Sequence, residues 1–130
     1  MIVVDSSVCV RQSFSEEGYE GLGESPLVAP PHMWAETRSA LRQIHWRGQV
    51  SGEEVLEARE RFHRASIEMR SPAELGDEAW RIAEEFGWAK TYDAEYIALA
   101  RLLGCRFVTL DARLKRRTAR LGFVVGPTEL

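Results

Sequence analysis

Short runs of apolar, largely β-branched residues recur along this chain, and helix-length stretches separate them. Ile2-Val3-Val4, Leu27-Val28-Ala29, Phe107-Val108-Thr109-Leu110 and Phe123-Val124-Val125 are continuous rather than alternating. That is the pattern of strands buried on both faces, as in parallel sheets. Strands that alternate with helices predict an α/β fold, with a mainly parallel central sheet of roughly four to five short strands flanked by helices. The 130 residues fit one domain over 1–130, long enough to bury a core without disulfides.

The helices are marked by their ends. Asp5-Ser6-Ser7 offers N-cap chemistry for a helix over 8–14. Residues 15–25 are rich in glycine and glutamate and predict at most a short exposed helix. Pro30-Pro31 opens a helix over 31–47 that Gly48 stops. Two capping boxes, Ser51 with Glu54 and Ser71 with Glu74, each start another helix. The first carries Val55, Leu56, Phe62 and Ile67, the second Leu75, Ala79, Ile82, Ala83 and Phe86, and the two are expected to pair antiparallel. A further helix runs over 93–103 to Gly104, and a short basic helix follows Asp111.

Four carboxylates stand out against this framework. Asp5 ends the first strand and Asp111 follows the strand at Phe107, and ligands of open parallel sheets bind at the carboxyl ends of strands. Taken alone, either aspartate also reads as a turn or N-cap residue. Glu36 falls on or beside the apolar stripe of Met33, Ala40, Leu41 and Ile44. A carboxylate there is costly unless a metal or a partner such as Arg38 or Arg101 neutralises it. Asp93 begins a helix whose Ala94, Ala98 and Ala100 allow close packing on the sheet. Glu95 reads as solvent-facing. Two carboxylates about 5 Å apart repel by roughly 3 kcal/mol at an effective dielectric of ~20, so four converging acids are not assembled for stability. Hard oxygen ligands suit Mg²⁺ or Mn²⁺.

The formal net charge is −3. A nucleic-acid footprint must therefore be local, and Arg113, Lys115, Arg116, Arg117 and Arg120 supply one directly after Asp111. The same residues also read as a solvated face or as charge balance for the acids. Trp34, Trp46, Trp80 and Trp88 read as core or interface anchors, with base stacking as the alternative. His32, His45 and His63 lack zinc spacing. Cys9 and Cys105 lack a CxxC arrangement and read as two buried reduced thiols, which suits a cytoplasmic protein. No basic leader precedes the first apolar run, and no run approaches the roughly 18 residues of a membrane helix.

The ordered set Ile2-Val3-Val4-Asp5-Ser6-Ser7, Glu36 after Pro30-Pro31, Thr91-Tyr92-Asp93-Ala94 with Tyr96-Ile97-Ala98-Leu99-Ala100, and Val108-Thr109-Leu110-Asp111 with Arg113-Leu114 resembles the PIN-domain ribonucleases. More specifically it resembles the VapC-type toxins of toxin–antitoxin pairs. The resemblance implies a PIN-like three-layer fold in which Asp5, Glu36, Asp93 and Asp111 bind Mg²⁺ or Mn²⁺ and hydrolyse RNA. Asp111 stands at the family's most variable acidic position. The resemblance also implies supporting roles for Ser7 and Thr109, an antitoxin that blocks the site, and a homodimer. Arg113, Lys115, Arg116 and Arg117 are the expected RNA contacts. Two other readings remain. One is an RNA- or protein-binding module on the same fold. The other is an aspartate-nucleophile phosphatase, which typically has a second aspartate where this chain has Ser7.

Overall fold

The structure, a computed structural model, describes residues 1–130. Its centre is a five-stranded, wholly parallel sheet. The strands are β1 (Ile2–Val4), β2 (Leu27–Ala29), β3 (Ile67–Met69), β4 (Arg106–Val108) and β5 (Val124–Val125), in the order β3-β2-β1-β4-β5. β1 is central and buried along its whole length, which is why its sequence has no alternation. The chain builds outward from β1 to β3, then crosses to the other side of β1 to place β4 and β5. The order therefore reverses between β1 and β4, and such a reversal opens a crevice at the strands' carboxyl ends.

Six helices connect the strands: α1 (Ser6–Phe14), α2 (Met33–Trp46), α3 (Gly52–Arg64), α4 (Leu75–Phe86), α5 (Tyr92–Leu103) and α6 (Ala112–Arg117). A short 3₁₀ helix at Gly18–Leu22, preceded by a turn, is the only regular element that 15–25 contains. α5 buries Ala94, Ile97, Ala98, Leu99 and Ala100 and lies against β1 and β4. The small side chains of Ala94, Ala98 and Ala100 let it pack closely and bring its first turn, with Asp93, to the crevice. Gly104 ends α5 with φ +67, the left-handed conformation that side chains with a Cβ adopt at a cost of about 1–2 kcal/mol.

Several expectations are corrected. α3 and α4 do not pair: α3 packs on α1 and α2, whereas α4 packs on α5. Ile67 belongs not to α3 but to β3, which separates the two helices and takes the sheet's outer edge. The Ser51 capping box is present, with both bonds at 3.0 Å. At Ser71 there is none. The chain first makes a turn, closed by Leu75 N–H to the Pro72 carbonyl at 3.0 Å, and α4 begins at Leu75. α2 likewise starts at Met33, after a turn across Pro31-His32. Both cysteines are unpaired, but only Cys9 is fully buried, and burial pushes its thiol up to about 12. Trp46 and Trp80 are 75% and 63% exposed, so neither is a core residue. No helix is long and apolar enough to cross a membrane.

Candidate active site

Asp5 is the N-cap of α1 and only 7% exposed. Its Oδ1 accepts from Ser7 Oγ at 2.6 Å and from the Val8 N–H at 3.1 Å. Its Oδ2 accepts from Thr109 Oγ1 at 2.5 Å, across the crevice between β1 and β4. The same two hydroxyls fix the loop after β4: the Leu110 N–H donates to Ser7 Oγ and the Asp111 N–H to Thr109 Oγ1, both at 3.1 Å. Ser7 and Thr109 therefore tie both strand ends to one carboxylate. Burial pushes the Asp5 carboxyl upward, the three donors oppose that shift, and the charge of Asp93 adds to it.

Asp111 caps α6 through the Leu114 N–H at 3.0 Å. It shares a cavity of about 570 Å³ with Glu36 and Asp93. Loss of solvent raises the Asp93 carboxyl, and the charges of Asp111 and Glu36 raise it further, while His32 and Arg117 act the other way. Glu36 is not held by an arginine. Tyr96 Oη donates to its Oε1 at 2.5 Å, and His32 Nε2 lies 3.5 Å away. Arg101, the partner expected as an alternative, instead pairs with Glu78 at 3.0 Å. Asp5, Asp93 and Asp111 form no ion pair. Asp5 lies beside the cavity rather than on its wall.

The four acids thus gather at one sheet edge with no arginine or lysine paired to them and only His32 beside Glu36, and this donor set suits a hard divalent ion. No three of them stand close enough to form a ready-made ligand cluster. An ion held here would bind through one or two of these carboxylates and keep several waters, as Mg²⁺ characteristically does.

The structure adds residues that the sequence reading passed over. Tyr96 is buried beneath Glu36. His32, read as a surface or packing residue, donates through Nε2 to the Tyr92 carbonyl at 3.0 Å. Its Nδ1 lies 3.2 Å from Glu95 Oε2, so Glu95 faces His32 rather than open solvent, and it does not line the cavity. Lys90 and Trp88, from the loop between α4 and α5, do line it. Of the basic residues after Asp111, Arg113 and Arg117 reach the cavity. Arg116 does not, and Lys115 is paired with Glu129.

Comparisons with known proteins bear on the family and the fold. Ribonuclease VapC9 of Mycobacterium tuberculosis is 29% identical over 115 residues, covering 88% of each chain. A VapC ribonuclease of Mycobacterium bovis matches to the same extent. Among solved structures, a Pyrobaculum aerophilum protein superposes with a TM-score of 0.73 at 21% identity, covering 98% of this chain and 84% of its own. A toxin–antitoxin complex from Klebsiella pneumoniae gives 0.68 at 17% identity with 98% of each chain covered. The sarcin-ricin loop cleaving toxin VapC20 of M. tuberculosis gives 0.60 at 17%, covering 95% of this chain and 97% of its own. At these identities the structures speak for the fold alone. The sequence model of the PIN domain matches residues 2–120, from the first strand to beyond α6, and the chain therefore belongs to the PIN-domain family.

Proposed function

We propose that this chain is a divalent-metal-dependent endoribonuclease and the toxin of a toxin–antitoxin pair. The observation that carries the chemistry is the cavity shared by Glu36, Asp93 and Asp111, with Asp5 buried beside it and no arginine or lysine paired to any of them. Family membership and the ribonuclease names of the sequence relatives support RNA as the substrate. A solved toxin–antitoxin complex of the same fold supports an antitoxin partner. A homodimer and a cytoplasmic location complete the reading.

Asp5, Asp93 and Asp111 would hold Mg²⁺ or Mn²⁺ directly or through its waters, and Glu36 would share the ion or orient the attacking water. When bound, the ion supplies Lewis-acid activation of water and offsets charge on the phosphodiester. Asp5 contributes a carboxylate whose both oxygens are already oriented by Ser7 and Thr109, so little ordering remains for binding to supply. Tyr96 holds Glu36 in one orientation. Arg113 and Arg117 face the same space and would contact the RNA backbone. Attack of water in line with the leaving oxygen leaves 5′-phosphate and 3′-hydroxyl ends. Ser7 donates its hydroxyl to Asp5 and has no carboxylate, so the phosphatase reading lacks its second acid.

The test is incubation of the purified protein with a mixed cellular RNA pool, with and without Mg²⁺ or Mn²⁺, followed by mapping of the new ends. Metal-dependent cuts that Asp5→Asn and Asp93→Asn abolish support the reading. Binding of RNA without cutting would leave a binding module instead.

A further inference from the structure

The cavity that gathers the acids is also lined by basic residues. Lys90, Arg113 and Arg117 line it together with Trp88. Lys90, Arg113 and Arg117 form no ion pair, whereas Arg101, Lys115 and Arg120 are engaged by Glu78, Glu129 and Glu85. Three cations and three acids line the same cavity of about 570 Å³ without pairing with one another. Unpaired cations in such a cavity can take a phosphate, and the unpaired acids a divalent cation.

Arg117 is also held in place. Its guanidinium lies over the Trp88 ring at 5.8 Å from the centroid. Trp88 stacks on Phe86 at 5.0 Å with the planes 22° apart. The Arg120 guanidinium covers Phe86 at 4.4 Å, and Glu85 anchors Arg120 at 3.2 Å. Cation–π contact with tryptophan restrains an arginine while leaving its N–H donors free. The ladder from Glu85 to Arg117 thus pre-orients a cation that carries no carboxylate of its own. Gly87 makes this possible. It ends α4 with φ +69, so the chain turns there and carries Trp88 and Lys90 to the cavity.

We propose that Lys90, Arg113 and Arg117 form one phosphate-binding wall for the RNA backbone beside the scissile bond, with Trp88 as the residue that positions Arg117. The inference rests on the nuclease reading and adds Lys90 and Trp88 to the site, while Arg116 and Lys115 lie outside it.

The experiment measures binding of a fluorescently labelled single-stranded RNA of mixed sequence by anisotropy, in EDTA so that no cleavage intrudes, across a salt series. Lys90→Met and Arg117→Met, both exposed substitutions, each weaken binding about tenfold and lower the salt slope by about one. Arg116→Met stays within about twofold. Trp88→Leu weakens binding as Arg117→Met does, and the double variant is no weaker than Arg117→Met alone. Trp88→Phe, which keeps a ring face, restores most of the affinity. In Mg²⁺, Arg117→Met raises KM and leaves kcat largely intact. An unchanged Kd and salt slope for Lys90→Met or Arg117→Met would overturn the proposal, as would full additivity of Trp88→Leu with Arg117→Met, or no RNA binding by the wild type. If the wild type binds through this wall but cleaves no better than Asp93→Asn, the nuclease reading fails and the phosphate wall stands.

Discussion

Replacing Thr109 by valine keeps the side chain's shape and removes only its hydroxyl. That hydroxyl donates to Asp5 Oδ2 at 2.5 Å and accepts from the Asp111 N–H at 3.1 Å. Both Asp5 and Thr109 are buried, so water does not readily replace the first bond. A hydrogen bond to a charged group is worth about 1.5–3 kcal/mol, and the stranded carboxylate oxygen bears the cost of its lost partner. The Asp111 amide, nearer solvent, adds little. We expect Thr109→Val to destabilise the protein by about 2–3 kcal/mol. For a domain of this size that is about a 10 °C fall in thermal midpoint, taking ~4 °C per kcal/mol. Thr109→Ser keeps both hydrogen bonds and loses one methyl group, worth about 1 kcal/mol. Thermal and urea unfolding in EDTA should therefore rank wild type, then serine, then valine. Adding Asp5→Asn to the valine variant should recover part of the loss, because the stranded charge is then gone. A valine variant within 0.5 kcal/mol of wild type, or one more stable than the serine variant, would refute the view of Asp5 as a buried charge held by this hydroxyl.

Asp5 and Asp93 both titrate above the ordinary carboxylate value in the fold, so the native state holds their protons more tightly than the unfolded chain does. Stability of the metal-free protein should accordingly fall as the pH rises from the unfolded value near 3.8 through the raised native values, and level off above them. The thermal advantage of Asp5→Asn over wild type should widen across that window, and a constant gap would contradict the burial argument. Tyr96→Phe removes the donor to Glu36 Oε1; kcat for RNA cleavage should drop about tenfold with KM nearly unchanged and about 1 kcal/mol of stability lost. A change confined to KM would mean that Glu36 serves substrate binding instead. Gly87→Ala places a Cβ at a positive φ and should cost about 1–2 kcal/mol in urea unfolding. No loss would show that the turn relaxes easily.

How much of this was legible beforehand follows from the range of each signal. β1, β2 and β4 announce themselves because strands buried on both faces require unbroken apolar runs. β3 does not: Ile67-Glu68-Met69 is three residues long, lies at the sheet edge and is largely exposed, so neither periodicity nor hydrophobicity marks it. Missing it turned α3 and α4 into a false pair. Ser71 imitates a cap because sequence spacing cannot reveal that Pro72 diverts the chain into a turn first. At the site, the aspartates were legible through their places at strand and helix ends. Tyr96 and His32 were not, since their contacts with Glu36 and the Tyr92 carbonyl include partners 60 residues away in the chain. Lys90 and Trp88 became visible only once the turn after α4 was placed beside α6.

The claim beneath everything else is that acids from four separate segments make a site for a divalent cation, which they hold directly or through its waters. Calorimetric titration of Mn²⁺ into the metal-free protein tests it directly, with Asp93→Asn and Asp111→Asn alongside. Saturable binding by the wild type that either substitution weakens at least tenfold is the expected result. Equal binding by all three proteins, or none by the wild type, would contradict it.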